Sequence, residues 1–389
     1  MRRSRVVLLV CSLSVVLFLL ASGAALKAGV GEGTFKQMLT FSEVLSYAID
    51  NYVDPVDTEK LMHGAYEGLM GGLDAHSAYL TADEVTEWNK TPAAADHADP
   101  GMTVLKTGPV LQVVAVAPGS PADTAKIAVG DQLRKIDGHS IRQLSLDQAL
   151  RLLRGAPGST VEVELLRTKD FTREMLKLDR ALRSDPPYVL EINDKIAVLK
   201  VRDLDRIPND GLLSDIAGLK EKGVDRILVD LRDVASTDTR RAATVADLFV
   251  AGDVLRLKDR SGRAIETLAA KGKPAWSGRV AVLVNGATAG AGEGLAVILQ
   301  ERRKAPVYGE GTFGLGTEPK LIALPEGGGL LVPGYVWETM VGKRWNADGV
   351  TPDKVVKSDS RSDGDDEQLR NTLEDFGKPE SPEAAPKAA

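Results

Sequence analysis

Residues 281–300, "AVLVNGATAGAGEGLAVILQ", carry an apolar strand into a glycine-rich turn and the turn into a helix. That layout serves two chemistries: loops that cradle the phosphates of a dinucleotide, and turns that present a catalytic nucleophile. The dinucleotide reading has Glu310 about 20 residues on, where a ribose-binding acid would stand. Its glycine spacing fails, however. Gly290, Gly292 and Gly294 alternate, so no G-x-G-x-x-G can be written through them. Glu293 also falls in the first turn of the helix, where it would repel a pyrophosphate. A dinucleotide-binding reductase is therefore only a distant alternative. A third reading is purely structural: small residues let the helix pack close to its strand.

The flanks of this stretch alternate strand and helix. "KIAVLKV", "RILVDLR" and "VAVLVNG" are continuous apolar runs, and "NDGLLSDIAGLKEKG", "RAATVADLFVAG" and "GEGLAVILQERRK" are helical. Uninterrupted apolar strands between helices predict a mainly parallel sheet covered on both faces, over residues 188–357. Upstream, residues 99–180 hold short β-rich runs separated by Gly/Pro turns and two helical pieces, "SPADTAKI" and "SLDQALRLLRG". That pattern predicts a small β-barrel with two helices. Residues 35–92 read as helical: Met38, Phe41, Leu45, Ala48 and Tyr52 recur at helical spacing, and Leu61, Ala65 and Leu69 form another face after a cap at Asp57 or Thr58. A linker, "TPAAADHADPG", separates the helices from the barrel, and residues 358–389 read as one short helix and a solvated tail. The fold class is thus an α+β multidomain protein: N-terminal helices, a small barrel and an α/β core.

"MRRSR" followed by "VVLLVCSLSVVLFLL" and the small residues of "ASGAALKAG" makes residues 1–26 a signal peptide or a membrane anchor. Either predicts export to a periplasmic or other extracytoplasmic space, with membrane contact only through this segment. Of 389 residues 27% are charged, with a net charge of -6, which argues against a nucleic-acid partner. His63, His76, His97 and His139 show no ligand spacing, so neither a metal nor another cofactor is expected. The single cysteine, Cys11, leaves the remainder without disulfides.

Five blocks, in order, carry a family resemblance. "YVDPVDTEKLMHGAYEGLMGGLDAHSAYL" resembles the N-terminal helical segment of C-terminal processing proteases, tail-specific serine proteases that contain a PDZ domain. Leu73, Asp74, His76, Ser77, Tyr79 and Leu80 match that family's Leu-Asp-Pro-His-Ser-x-Tyr-Leu run, with Ala75 in place of proline. "VVAVAPGSPADTAKIAVGDQLRKIDG" resembles the PDZ core, and "ILVDLR", "YGEGTFG" and "DGVTPD" match three further blocks, over roughly residues 40–357 in all.

The resemblance implies a Ser–Lys dyad, in which a desolvated lysine is the general base. Aligned on Glu293, the family's nucleophile position is Gly290, its base position is Leu315 in "TFGLG", and an assisting glutamine falls on Pro319. Ser236 and Thr237 replace the glycines of a turn that supplies an oxyanion amide. Loss of nucleophile or base alone costs on the order of 10⁶ in kcat in a serine protease. The expectation is therefore an exported pseudoprotease with no intact catalytic residue. It would bind peptide or protein C-termini, or an active relative, through its PDZ domain. The groove residues implied are Gly101, Met102 and Thr103 in the carboxylate loop and Ala149, Leu150 and Leu153 on the helical wall. The alternative is an active serine-type endopeptidase with a non-standard nucleophile, for which Thr288 is the candidate and Lys304 and Lys320 are the nearest lysines.

Overall fold

A computed structural model describes residues 32–90, 98–357 and 366–379. The expected signal or anchor segment, most of the linker and most of the tail lie outside the described residues. The chain divides into two compact units, residues 1–66 and 67–389.

The first unit holds helix α1 (Glu32–Asn51) and the start of α2 (Thr58–Gly71). Asp57 caps α2 by accepting the Lys60 N–H at 3.1 Å, as its position predicts. The apolar face read from the sequence lies on α1, yet Met38, Phe41, Val44 and Tyr47 along this helix are all exposed. Among the described residues no helix is long and apolar enough to cross a membrane.

The second unit continues through β1 (Ala78–Leu80) and α3 (Ala82–Lys90) into the barrel. The barrel's strands are β2 (Met102–Thr107), β3 (Val110–Val116), β4 (Gln132–Ile136), β5 (His139–Ser140), β6 (Thr160–Leu166) and β7 (Arg173–Asp179). They pair antiparallel in the order β2-β3-β4-β6-β7, with β5 on β4, which leaves β2 at an edge. Of the two predicted helices, α4 (Pro121–Thr124) is only one turn, because Lys126 turns the chain at φ 56°. The other, α5 (Leu146–Leu153), opens on a reciprocal cap between Ser145 and Gln148 and packs beside β2.

The core sheet follows the predicted plan. It comprises β8 (Tyr188–Asn193), β9 (Ile196–Val201), β10 (Arg226–Asp230), β14 (Arg279–Val284), β16 (Val307–Gly309) and β19 (Lys354–Val355), in the order β19-β16-β14-β10-β9-β8. All pairs are parallel except β8–β9. The strands are apolar throughout because both faces are covered. Leu199, Val229 and Val282 share one cluster with residues of α6 (Asn209–Ala217), α7 (Arg240–Ala246) and α8 (Ala291–Arg303). Leu228, Ala281 and Leu283 pack on the other side against Phe376 of α9 (Glu367–Gly377).

One element departs from that plan. Residues 252–270 and 317–339 form a separate antiparallel sheet from β12 (Gly252–Asp259), β13 (Ala264–Ala270), β17 (Thr317–Ala323) and β18 (Gly329–Thr339), which β1 also joins. The connections 260–263 and 324–328 are too short for a crossover helix and can only make hairpins. Finally, β11 (Ala235–Ser236) runs parallel to β15 (Ala289–Gly290), a two-residue pair that closes the glycine turn.

Candidate active site

The glycine turn is held by its own side chains. The Thr288 hydroxyl donates to the Leu231 carbonyl at 2.8 Å and accepts the Asn285 N–H at 3.1 Å, while Asn285 Nδ2 reaches Asp233 at 2.8 Å. The chain then pairs with Ala235–Ser236 and enters α8 at Gly290, with φ 58° and ψ −112°. A Cβ at Gly290 would lie 1.9 Å from the Ser236 carbonyl oxygen, so the backbone across the turn fills the space of a side chain. Gly292 and Gly294 are equally confined: a Cβ would meet the Val234 carbonyl at 2.9 Å and Ala242 at 3.0 Å respectively. The alternating glycines thus serve close packing of α8 on residues 234–242.

The N-terminus of α8 is closed by Glu293, which is fully buried. Its carboxylate accepts the N–H groups of Gly290 (2.9 Å), Gly314 (2.6 Å) and Leu315 (2.7 Å), and the Thr312 hydroxyl. Where a bound phosphate would sit, the protein places its own carboxyl group. Burial pushes that carboxyl up to about 7, against the four donors that pull it down.

These bonds bring Leu315 onto the turn. Its Cδ2 lies 3.4 Å from the position a Gly290 Cβ would take. Leu315 is buried, and it packs not within the core but in the barrel's hydrophobic cluster, with Met102, Val104, Leu146 and Leu153. The furrow between edge strand β2 and helix α5 is accordingly reduced to a cavity of about 80 Å³, roofed by Ala235, Ser236, Thr237 and Leu315. Of the predicted groove residues, Met102, Thr103, Leu150 and Leu153 line it. Two do not. Ala149 faces into the barrel core with no exposed surface, because the helical period turns it inward. Gly101, at φ 81°, lies against Ser120, which a Cβ would strike at 2.2 Å.

Residues 195–356 match the family model for Peptidase family S41, and residues 112–167 match that for a PDZ domain. The chain is 32% identical over 251 residues to the carboxyl-terminal-processing protease of Picosynechococcus, covering 64% of this chain and 61% of that relative. It is 26% identical to the carboxy-terminal-processing protease of Bartonella bacilliformis, covering 84% of this chain and 76% of the relative. The solved photosystem II D1 C-terminal processing protease shares the fold, with a TM-score of 0.59 at 23% identity over 82% of this chain and 92% of that one. The chain thus holds a Peptidase family S41 region and a PDZ domain and is similar to C-terminal processing proteases over most of its length.

Gly290 and Leu315 are in direct apposition, as partners in a dyad would be. Pro319 lies in β17, paired with Pro333. Thr288 is fully buried with its proton on a carbonyl. Lys304 ends α8 in the left-handed conformation, and Lys320 packs beside Gly334 with its Nζ 5.9 Å from the centre of the Tyr335 ring. The sequence reading missed Asp205. Burial raises its carboxyl, and it accepts the Ser236 hydroxyl at 2.6 Å, anchoring the strand that blocks Gly290. No spacing signal links residues 31 apart through different loops.

Two outcomes follow from this geometry. A carboxyl whose pKa is raised by folding stabilises the fold fully below about pH 4.5, and that contribution is lost as pH rises through about 7. Across this window Glu293 contributes a fall in the stability of the natural chain of about 3 kcal/mol, and Glu293→Gln, less stable overall, flattens the slope by that share and leaves what Asp205 and the other raised carboxyls add. Gly290→Ala lowers stability by about 2 kcal/mol or more in urea unfolding, since it adds both a strained φ and a backbone clash.

Proposed function

We propose that this chain is a proteolytically inactive, exported member of the C-terminal processing family that binds protein C-termini through its PDZ domain. The observation that carries the reading is the apposition of Gly290 and Leu315. The two positions that the family resemblance assigns to nucleophile and base meet in space, and neither residue can attack or take a proton. The backbone of Ser236 occupies the volume a nucleophile would need. Thr288 supports no alternative, because its hydroxyl is spent on Leu231 and Asn285 inside the turn.

Binding draws on the edge strand β2 and the wall formed by Leu150 and Leu153, where a peptide adds as a further strand. In the arrangement described, Leu315 and the 235–237 segment occupy that place. A peptide therefore competes with the chain's own core, and its apparent affinity is reduced by the fraction of molecules that are closed.

The full chain, incubated with an unfolded protein bearing an apolar C-terminus, yields no new fragments by mass spectrometry. Gly290→Ser/Leu315→Lys stays silent as well, because the Ser236 carbonyl still blocks residue 290. Cleavage by the natural chain, lost on Thr288→Ala, would overturn the reading in favour of an unusual nucleophile. For binding, Leu315→Ala opens the groove and tightens a labelled peptide with an apolar free C-terminus by about tenfold in anisotropy. Unchanged affinity would show that Leu315 does not compete for the groove.

A further inference from the structure

On a chain of net charge -6, one cleft runs against the overall sign. It has a volume of about 710 Å³ and lies between the Asp74–His76 segment, the β2–β3 turn, the β12–β13 turn and the middle of β18. Lys106, Lys258, Arg260 and Arg344 line it, against two lining carboxylates, Asp74 and Asp259. Both carboxylates are already engaged. Asp74 accepts the N–H groups of His76 and Ser77, each at 2.8 Å, and Asp259 takes the hydroxyl of Ser261 at 2.6 Å and Nε of Arg263 at 3.3 Å.

Behind the wall, buried Glu338 is shared by three cations: Lys258 at 2.6 Å, Arg256 at 3.0 Å and Arg344 at 3.3 Å. One carboxylate cannot neutralise three, so positive charge is left over beside the cleft. Arg260 has no hydrogen-bond or ion-pair partner among the described residues. Lys106, almost fully buried, has one acceptor, the Leu144 carbonyl, for its three donors. Phe313, Tyr335 and Val336 add an apolar surface. A concave site with unspent cations and low-dielectric walls focuses its field on an anion.

We propose that this cleft binds an acidic stretch of polypeptide, its carboxylates on Arg260 and on the Lys258–Arg344 pair and an apolar side chain against Phe313 and Tyr335. Two features favour a polypeptide over a nucleic acid. The cations converge on one concave cleft rather than extending along a stripe, and the rest of the chain repels a long polyanion. This site stands apart from the PDZ groove and goes beyond the function proposed above.

The test uses the full chain and a labelled peptide of Glu and Phe with an amidated C-terminus, so that capture of a free carboxylate plays no part. The acidic peptide binds at least about tenfold more tightly than the same peptide with Lys for Glu, and added salt weakens it. Arg260→Glu weakens it by about tenfold, and Arg260→Lys retains it. Equal binding of the two peptides, or no effect of Arg260→Glu, overturns the proposal. So does an oligothymidylate that binds as tightly as the acidic peptide, which would mark a generic polyanion patch. Because the PDZ reading is probed by a free C-terminus and by Leu315, either can fail without the other.

Discussion

The arrangement around the glycine turn depends on one buried carboxylate. Glu293 satisfies the first free N–H of its own helix and, with the same two oxygens, the N–H groups of Gly314 and Leu315 some 20 residues away. A helix N-terminus leaves several donors without intrahelical partners, and a fully buried one must find acceptors for them. Here the acceptor comes from inside the helix and is shared with a loop that arrives after β16. The second loop is thereby fixed in position against the first. Without Glu293 the Phe313 N–H on the Thr288 carbonyl, at 3.0 Å, would be left to tie the two loops, and Leu315 would lose the bond that fixes its own N–H beside residue 290.

That tie explains how the turn can hold its geometry with no reactive side chain at residues 290 and 315. The backbone frame is set by the β10–β14 pairing, by the Thr288 hydroxyl on Leu231 and by Glu293. None of these needs a nucleophile or a base. At residue 290 the absence of a Cβ has a structural use of its own, since the Ser236 carbonyl lies where the side chain would be and Asp205 holds Ser236 there. The turn is therefore packed rather than merely vacant. Restoring a hydroxyl would mean moving β11, not only changing one residue.

The parts of this fold legible in the sequence were those in which chemistry and chain order coincide. Continuous apolar runs such as "KIAVLKV" and "VAVLVNG" announce strands covered on both faces, and Asp57 announces a helix start. The antiparallel sheet was hidden because its two hairpins are interleaved with units of the parallel sheet, 47 residues apart between β13 and β17 by residue number. The role of Ala149 was misjudged by one position on the helix wheel, the difference between a groove wall and a core face. Glu293 was read as a charge hostile to phosphate and as the anchor of an alignment, not as a tie between loops, since its partners at 312–315 are visible in space alone. Lys106, Lys258, Arg260 and Arg344 come from three separate segments, β2, the β12–β13 hairpin and the stretch after β18, and no local pattern joins all three.

Leu315 links the glycine turn to the PDZ domain. A lysine in its place would carry its charge into the cluster of Met102, Val104, Leu146 and Leu153, where a lone ammonium is strongly disfavoured unless it loses its proton or finds an anion. Leucine has no such conflict, and burying a side chain of this size stabilises by about 1.5–3 kcal/mol. A residue that cannot act as a base thus serves as an apolar anchor between core and PDZ domain. Any peptide that opens the groove must offset that burial with an apolar side chain of its own. Under the proposed binding, the groove would therefore select for ligands whose terminal residue is about as large and as apolar as the leucine it displaces.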